Sequence, residues 1–122
     1  MLAGKKLKAF IPTIHPENAK KFYRDILGLK LLSEDNYAIV FDAGGTLLRI
    51  TRVEELTPHP FTVLGWDVEA LNSLIIALGK KGVKFETYPF MDQDDLGIWT
   101  SQDGSKVAWF KDTDGNLLSL TE

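Results

Sequence analysis

The chain contains no cysteine. That excludes a disulfide framework, thiolate zinc sites, iron–sulfur clusters and a cysteine nucleophile. Histidine is scarce, limited to His15 and His59. No stretch approaches the roughly 18 consecutive apolar residues of a membrane span, so no membrane partner is expected. The opening Met1-Leu2-Ala3-Gly4-Lys5-Lys6-Leu7-Lys8 lacks the apolar run of a signal peptide, and the expected compartment is the cytoplasm. Basic charge is also short: 14 Lys and Arg stand against 17 Asp and Glu, for a net charge of −3. This is not the footprint of a nucleic-acid binder. There is no Gly-rich phosphate loop, no Gly-x-Ser-x-Gly elbow and no His-Glu-x-x-His motif.

What remains is an ordinary globular composition, 44% hydrophobic and 25% charged over 122 residues. That length suits a single domain spanning 1–122 with one core. Lys8 to Ile14 reads as a strand. Pro16 then starts a helix with Glu17 in its first turn. Ala19, Phe22, Tyr23, Ile26 and Leu27 form its apolar face, and Gly28 ends it. Three strand-like runs follow: Leu29 to Ser33, Tyr37 to Asp42 and Thr46 to Val53. A linker at 55–60, rich in proline and glutamate, separates module one (about 5–54) from module two (about 61–122).

In module two, Phe61 to Asp67 reads as a strand. Val68, Leu71, Leu74, Ile75 and Leu78 form a helix face closed by Lys80, Lys81 and Gly82. Val83 to Tyr88 reads as a strand, Pro89 to Leu96 as an acidic loop, and Gly97 to Ser101 as a short strand. Lys106 to Lys111 and Asn116 to Thr121 make a closing hairpin. The pattern is an internal repeat. Tyr37 to Asp42 matches Val107 to Asp112 at an offset of 70, and Leu47-Leu48-Arg49-Ile50 matches Leu117-Leu118-Ser119-Leu120 at the same offset. The helices align with Glu17 over Glu69, which implies an insertion of roughly 18 residues in the second copy.

Two motifs carry a resemblance. Phe22-Tyr23-Arg24-Asp25-Ile26-Leu27-Gly28-Leu29 resembles the helix-end signature of the vicinal oxygen chelate superfamily. That superfamily includes glyoxalase I, extradiol dioxygenases and bleomycin-resistance proteins. Trp109-Phe110-Lys111-Asp112-Thr113-Asp114-Gly115-Asn116 resembles its closing hairpin, with Thr113 where proline is common. The resemblance covers nearly the whole chain. It implies an α+β fold of two βαβββ modules forming a curved mixed sheet around a cleft.

The resemblance also implies where a divalent metal would be held. A His or Gln comes from the first strand of a module and a Glu from its last. These positions fall on Lys8, Arg49, Phe61 and Ser119. Lys and Arg offer no lone pair near neutral pH, Phe cannot ligate, and Ser alone is a poor ligand. No metal site and no cofactor are therefore expected, with a divalent metal near His59 as the alternative. His15 reads as a helix-start residue. No catalytic residue is assigned.

The resemblance implies that one face of each strand lines the cleft, and strand alternation then groups Lys8, Phe10 and Pro12 together, and Leu47, Arg49 and Thr51 together. The expected ligand-binding residues are Lys8, Phe10, Leu47, Arg49, Phe61, Val63, Trp99 and Ser119. They describe an apolar cleft with two cations and one hydroxyl, suited to an anionic or carbonyl-bearing, partly aromatic ligand. Trp66 and Trp109 read as core residues, and Trp99 as one able to close over a ligand. The expected function is metal-free small-molecule binding, as in the bleomycin-resistance branch, although two cations argue against bleomycin itself. The alternatives are a glyoxalase-like lyase, isomerase or dioxygenase with a non-standard site, and a structural module. The expected protein partner is a second copy of the chain, in a homodimer.

Overall fold

A computed structural model describes residues 1–122. The chain divides into two compact units, Met1–Thr57 and Pro58–Glu122.

The first unit runs β1 (Lys8–Thr13), α1 (Pro16–Lys21), a π-helical turn (Phe22–Ile26), β2 (Lys30–Glu34), β3 (Ala38–Ala43) and β4 (Thr46–Arg52). The strands lie in the order β1-β4-β3-β2. β1 is parallel to β4, and the other neighbours are antiparallel. Pro16 occupies the first turn of α1, where a missing N–H costs nothing, and Glu17 and Lys20/Lys21 match the helix dipole at opposite ends. The helix then widens: the Leu27 N–H donates to the Phe22 carbonyl at 2.9 Å, a five-residue step. This turn brings Phe22 and Tyr23 inward together, edge to face at 5.4 Å. Tyr23 also meets Phe41 of β3 at 6.1 Å, which identifies the helix side of the sheet.

On that side, register aligns Ile11, Ile50 and Ile39 on one rung and Leu48 and Phe41 on the next, all essentially without exposure. Each such side chain contributes roughly 1.5–3 kcal/mol on burial. At the margin, Lys20 bridges Glu17 (3.4 Å) and Glu34 (3.1 Å), and Arg52 reaches Glu34 at 3.5 Å.

The second unit runs β5 (Leu64–Asp67), α2 (Leu71–Lys80), β6 (Trp99–Thr100), β7 (Lys106–Lys111) and β8 (Leu117–Thr121). Its order, β5-β8-β7-β6 with β5 parallel to β8, repeats that of the first sheet. The fold is therefore α+β, built from two βαβββ modules. Ala108, Phe110, Leu118 and Leu120 fill the buried face of this sheet, and Leu71, Ile75 and Leu78 are the buried residues of α2. The closing turn is tied by Asp112. Its Oδ1 accepts the Asp114 and Asn116 backbone N–H groups, and its Oδ2 accepts the Asn116 amide, all at 2.9 Å.

Three expected elements differ. Val83 to Tyr88 is not a strand. It touches the sheet through a single bridge between Phe85 and Phe110 and a 2.8 Å bond from the Glu86 N–H to the Trp109 carbonyl. Beyond it, the Gln93 side chain ties up the Tyr88 N–H and the Glu86 carbonyl, groups a ladder would have used. β5 begins at Leu64 rather than Phe61, because Pro58 and Pro60 remove ladder donors just upstream. α2 begins at Leu71 rather than Val68, because Ala70 takes a left-handed conformation (φ 52°, ψ 53°) that a helix cannot contain.

Candidate functional site

In the first unit, the face opposite the helix carries the residues singled out from the sequence. Register pairs Lys8 with Leu47, and Leu47 with Asp42. The next rung holds Phe10, Arg49 and Val40, and the one after it Pro12, Thr51 and Ala38. Lys8, Phe10, Leu47 and Arg49 thus occupy two successive rungs, about 7 Å apart along the strands. Phe10 is 60% exposed and Leu47 38%. The ion pairs of the fold engage Lys20, Arg24, Arg52 and Lys111, and neither Lys8 nor Arg49 is among them. The acid on this face is Asp42, whose Oδ1 accepts the Gly45 N–H at 2.8 Å in the β3–β4 turn. In the turn between β2 and β3, Asp35 is held below the usual carboxylate range. The Tyr37 and Ala38 N–H groups are the main cause, with Arg49 and Arg52 adding to it.

In the second unit, the corresponding face carries Gly65, Ser119 and Trp109 on one rung. Leu117 and Lys111 share the next, and the Val63 N–H donates to the Leu117 carbonyl at 3.0 Å. Trp99 pairs with Val107 at the sheet edge, its ring 6.4 Å from Trp109. Tyr88 meets Trp109 edge to face at 6.0 Å and Phe90 at 5.6 Å. Burial pushes the Tyr88 phenol up, Glu86 adds to the shift and Lys111 opposes it. Trp109 therefore belongs to a half-buried aromatic row rather than to the core, because strand alternation turns it away from Ala108 and Phe110. Trp66, on the Leu120 rung, faces the buried side.

Phe61 stands apart from Ser119. It lies outside the strand, is 57% exposed, and stacks on His59 at 5.0 Å with rings nearly parallel. The residue equivalent to Lys8 is Val63. Phe10 pairs with Arg49 as Gly65 pairs with Ser119, and stepping back two residues in each strand gives Lys8 and Val63. His59 borders a cavity of about 190 Å³ with Pro58, Pro60, Tyr88, Lys111, Gly115 and Leu117, a lining without a carboxylate.

The positions at which the resemblance implies metal ligands carry Lys8 and Arg49 in the first unit and Val63 and Ser119 in the second. An ammonium and a guanidinium repel a cation, valine has no donor, and a lone hydroxyl is insufficient. No three His, Asp or Glu side chains come together closely enough to hold a metal ion. The residues present do not fit such a group. Nor is any helix long and apolar enough to cross a membrane.

Sequence reasoning missed Gly65. Its signal was present as a lone glycine inside a strand, which marks a place where something approaches the backbone closely.

Comparisons with known proteins agree with this architecture. No curated protein sequence matches the chain significantly. Among solved structures, a member of the glyoxalase/bleomycin resistance protein/dioxygenase superfamily from Sphaerobacter thermophilus superposes with a TM-score of 0.76 at 20% identity. The match covers 100% of this chain and 99% of that one. Lactoylglutathione lyase from Agrobacterium tumefaciens gives 0.75 at 16% identity, covering 98% and 93%. A glyoxalase family protein from Enterococcus faecalis gives 0.71 at 22%, with both chains fully covered. At these identities the likeness concerns the fold alone. The family model for the Glyoxalase/Bleomycin resistance protein/Dioxygenase superfamily matches residues 7–120, and with two βαβββ modules in the same strand order, the chain belongs to that superfamily.

Proposed function

We propose that this protein binds a small molecule without the help of a metal ion, and that its ligand is anionic or carbonyl-bearing and partly aromatic. One observation carries the reading. Lys8 and Arg49 stand on adjacent rungs beside the exposed Phe10 and Leu47, and neither cation is engaged in an ion pair. Two-point binding of a carboxylate is the natural use of such a guanidinium, and the phenyl ring supplies apolar contact. The donor chemistry at Lys8, Arg49, Val63 and Ser119 supports a mode of action that needs no metal.

Calorimetric titration with benzoate tests the reading. Arg49→Ala and Lys8→Ala are each expected to weaken binding about tenfold, the scale of one charge-assisted hydrogen bond. Unchanged affinity in both variants would sink it. Metal analysis of protein purified without chelators is the second arm, and a stoichiometric transition metal would return the chain to the enzymatic reading. A homodimer is part of the proposal, and light scattering showing a monomer at micromolar concentration would remove it.

A further inference from the structure

Ser119 lies at the middle of β8, nine-tenths buried, between Gly65 on one side and Trp109 on the other. Its hydroxyl oxygen is not sealed in the interior: the one side-chain polar atom both fully buried and unpartnered is Arg52 Nε. Gly65 keeps the approach to that hydroxyl open. A Cβ placed on Gly65 would sit 2.8 Å from Ser119 Oγ, and the atoms nearest to that point all belong to Ser119. The glycine is itself exposed. The space above it is therefore an open notch with the Ser119 hydroxyl at its edge. The backbone of Gly65 is not in the left-handed region, so its missing side chain serves space, not conformation. On the far side of Ser119, the indole of Trp109 and its neighbours Trp99 and Tyr88 present ring surfaces.

We infer that this notch is a subsite for an aromatic group bearing a hydrogen-bond-accepting oxygen, such as an aryl carbonyl. Ser119 Oγ–H donates to that oxygen, Gly65 leaves the room for it, and Trp109 contacts the ring. Gly65 and Ser119 are then the specificity-determining pair: the hydroxyl selects an acceptor, and the absent Cβ sets the width of the entrance. The inference rests on the chain being a small-molecule binder, yet it uses no residue of the first sheet.

The test is an NMR titration of the ¹⁵N-labelled full chain with acetophenone, and with toluene as the analogue lacking oxygen. Acetophenone is expected to shift the Gly65 and Ser119 amides and the Trp109 indole N–H. Ser119→Ala should weaken acetophenone about tenfold and leave toluene unchanged, since only a hydrogen bond is removed. Gly65→Ala should abolish both responses. The double variant Gly65→Ala/Ser119→Ala relieves the 2.8 Å contact, so it should melt like the wild type while still binding neither probe. That outcome separates occlusion from misfolding.

The subsite is overturned if those three signals stay unmoved up to the solubility limit of acetophenone. It is equally overturned if Ser119→Ala affects both probes alike. Acetophenone binding that depends on Arg49 and Lys8 but not on Ser119 overturns the subsite and leaves the proposed function standing. Ser119-dependent acetophenone binding, alongside benzoate binding indifferent to Lys8 and Arg49, does the reverse.

Discussion

Replacing alanine by glycine in a helix ordinarily destabilises a protein, but at the start of α2 the sign should invert. Ala70 is the residue before Leu71, exposed, and held at φ 52° and ψ 53°. It is the only non-glycine residue with positive φ. For a residue with a Cβ, that conformation costs roughly 1–2 kcal/mol. Glycine escapes the cost but loses about 0.5–1 kcal/mol more backbone entropy on folding. Because Ala70 is exposed, little packing is lost with its methyl group. Ala70→Gly should therefore stabilise the fold by about 0.5–1 kcal/mol, which for a chain of this length raises Tm by about 2–5 °C. Ala77 is the internal control: exposed, but within α2, where right-handed φ and ψ are required. Ala77→Gly should cost about 1 kcal/mol. The assay is urea denaturation of both variants beside the wild type, with unchanged m-values confirming that only stability has moved. The reasoning is refuted if the two substitutions change stability in the same direction, since it assigns them opposite signs solely from backbone conformation.

Glu122 is the cap of the same helix, its carboxylate accepting the Ala70 N–H at 3.0 Å and the Leu71 N–H at 3.3 Å. Glu122→Ala should destabilise by about 1 kcal/mol in the same assay, whereas a change within error would show that water replaces the cap. Phe110→Ala should cost about 3–5 kcal/mol, because the ring is wholly buried against Phe85 and its neighbours. Phe10→Ala, on an exposed ring, should stay within about 0.5 kcal/mol in stability while weakening benzoate binding. Asp103 titrates at about 2, mainly because the Ser101 hydroxyl and the Ser105 N–H donate to its carboxylate. Its folded value lies below the ordinary 3.8. The turn is therefore supported above that value and loosens as pH falls through about 2. Carboxylate carbon shifts followed by NMR should show this, and a midpoint near 4 would contradict it.

Much of the fold was legible because its cues are local. Pro16, the apolar spacing from Ala19 to Leu27 and the glycine at 28 define the first helix without reference to anything distant. The duplicated Leu-Leu pairs of β4 and β8 exposed the repeat. Strand alternation was enough to group Lys8 with Phe10 and Leu47 with Arg49, because a half-buried strand admits only two faces, while joining the two pairs on one face took the family resemblance. Val83 to Tyr88 was misjudged for a different reason. Val83, Phe85 and Tyr88 have the residue types of a strand, but pairing depends on partners, and the Gln93 side chain takes two of the backbone groups involved. A side chain 5 residues beyond Tyr88 leaves no periodic trace.

The displacement at Phe61 has one physical origin. The sequence alignment of the helices rested on Glu17 over Glu69, since an acid in the first helical turn is a recognised start signal. Glu69 is not in the helix. The left-handed Ala70 delays α2 to Leu71, so that Pro16 corresponds to Leu71 and Phe10 to Gly65, an offset of 55 at both points. The true insertion in the second copy is then roughly 15 residues rather than 18. The first-strand position moves from Phe61 to Val63. The chemical conclusion survives this shift, because valine and phenylalanine are equally unable to hold a cation. The geometric conclusion does not survive it. Correct register sets Gly65, not a bulky residue, beside Ser119, and that substitution of space for side chain gives the second sheet its open notch. The left-handed residue 70 shows which helix alignment is right, and the pairing of β5 with β8 independently sets Gly65 beside the Ser119 hydroxyl.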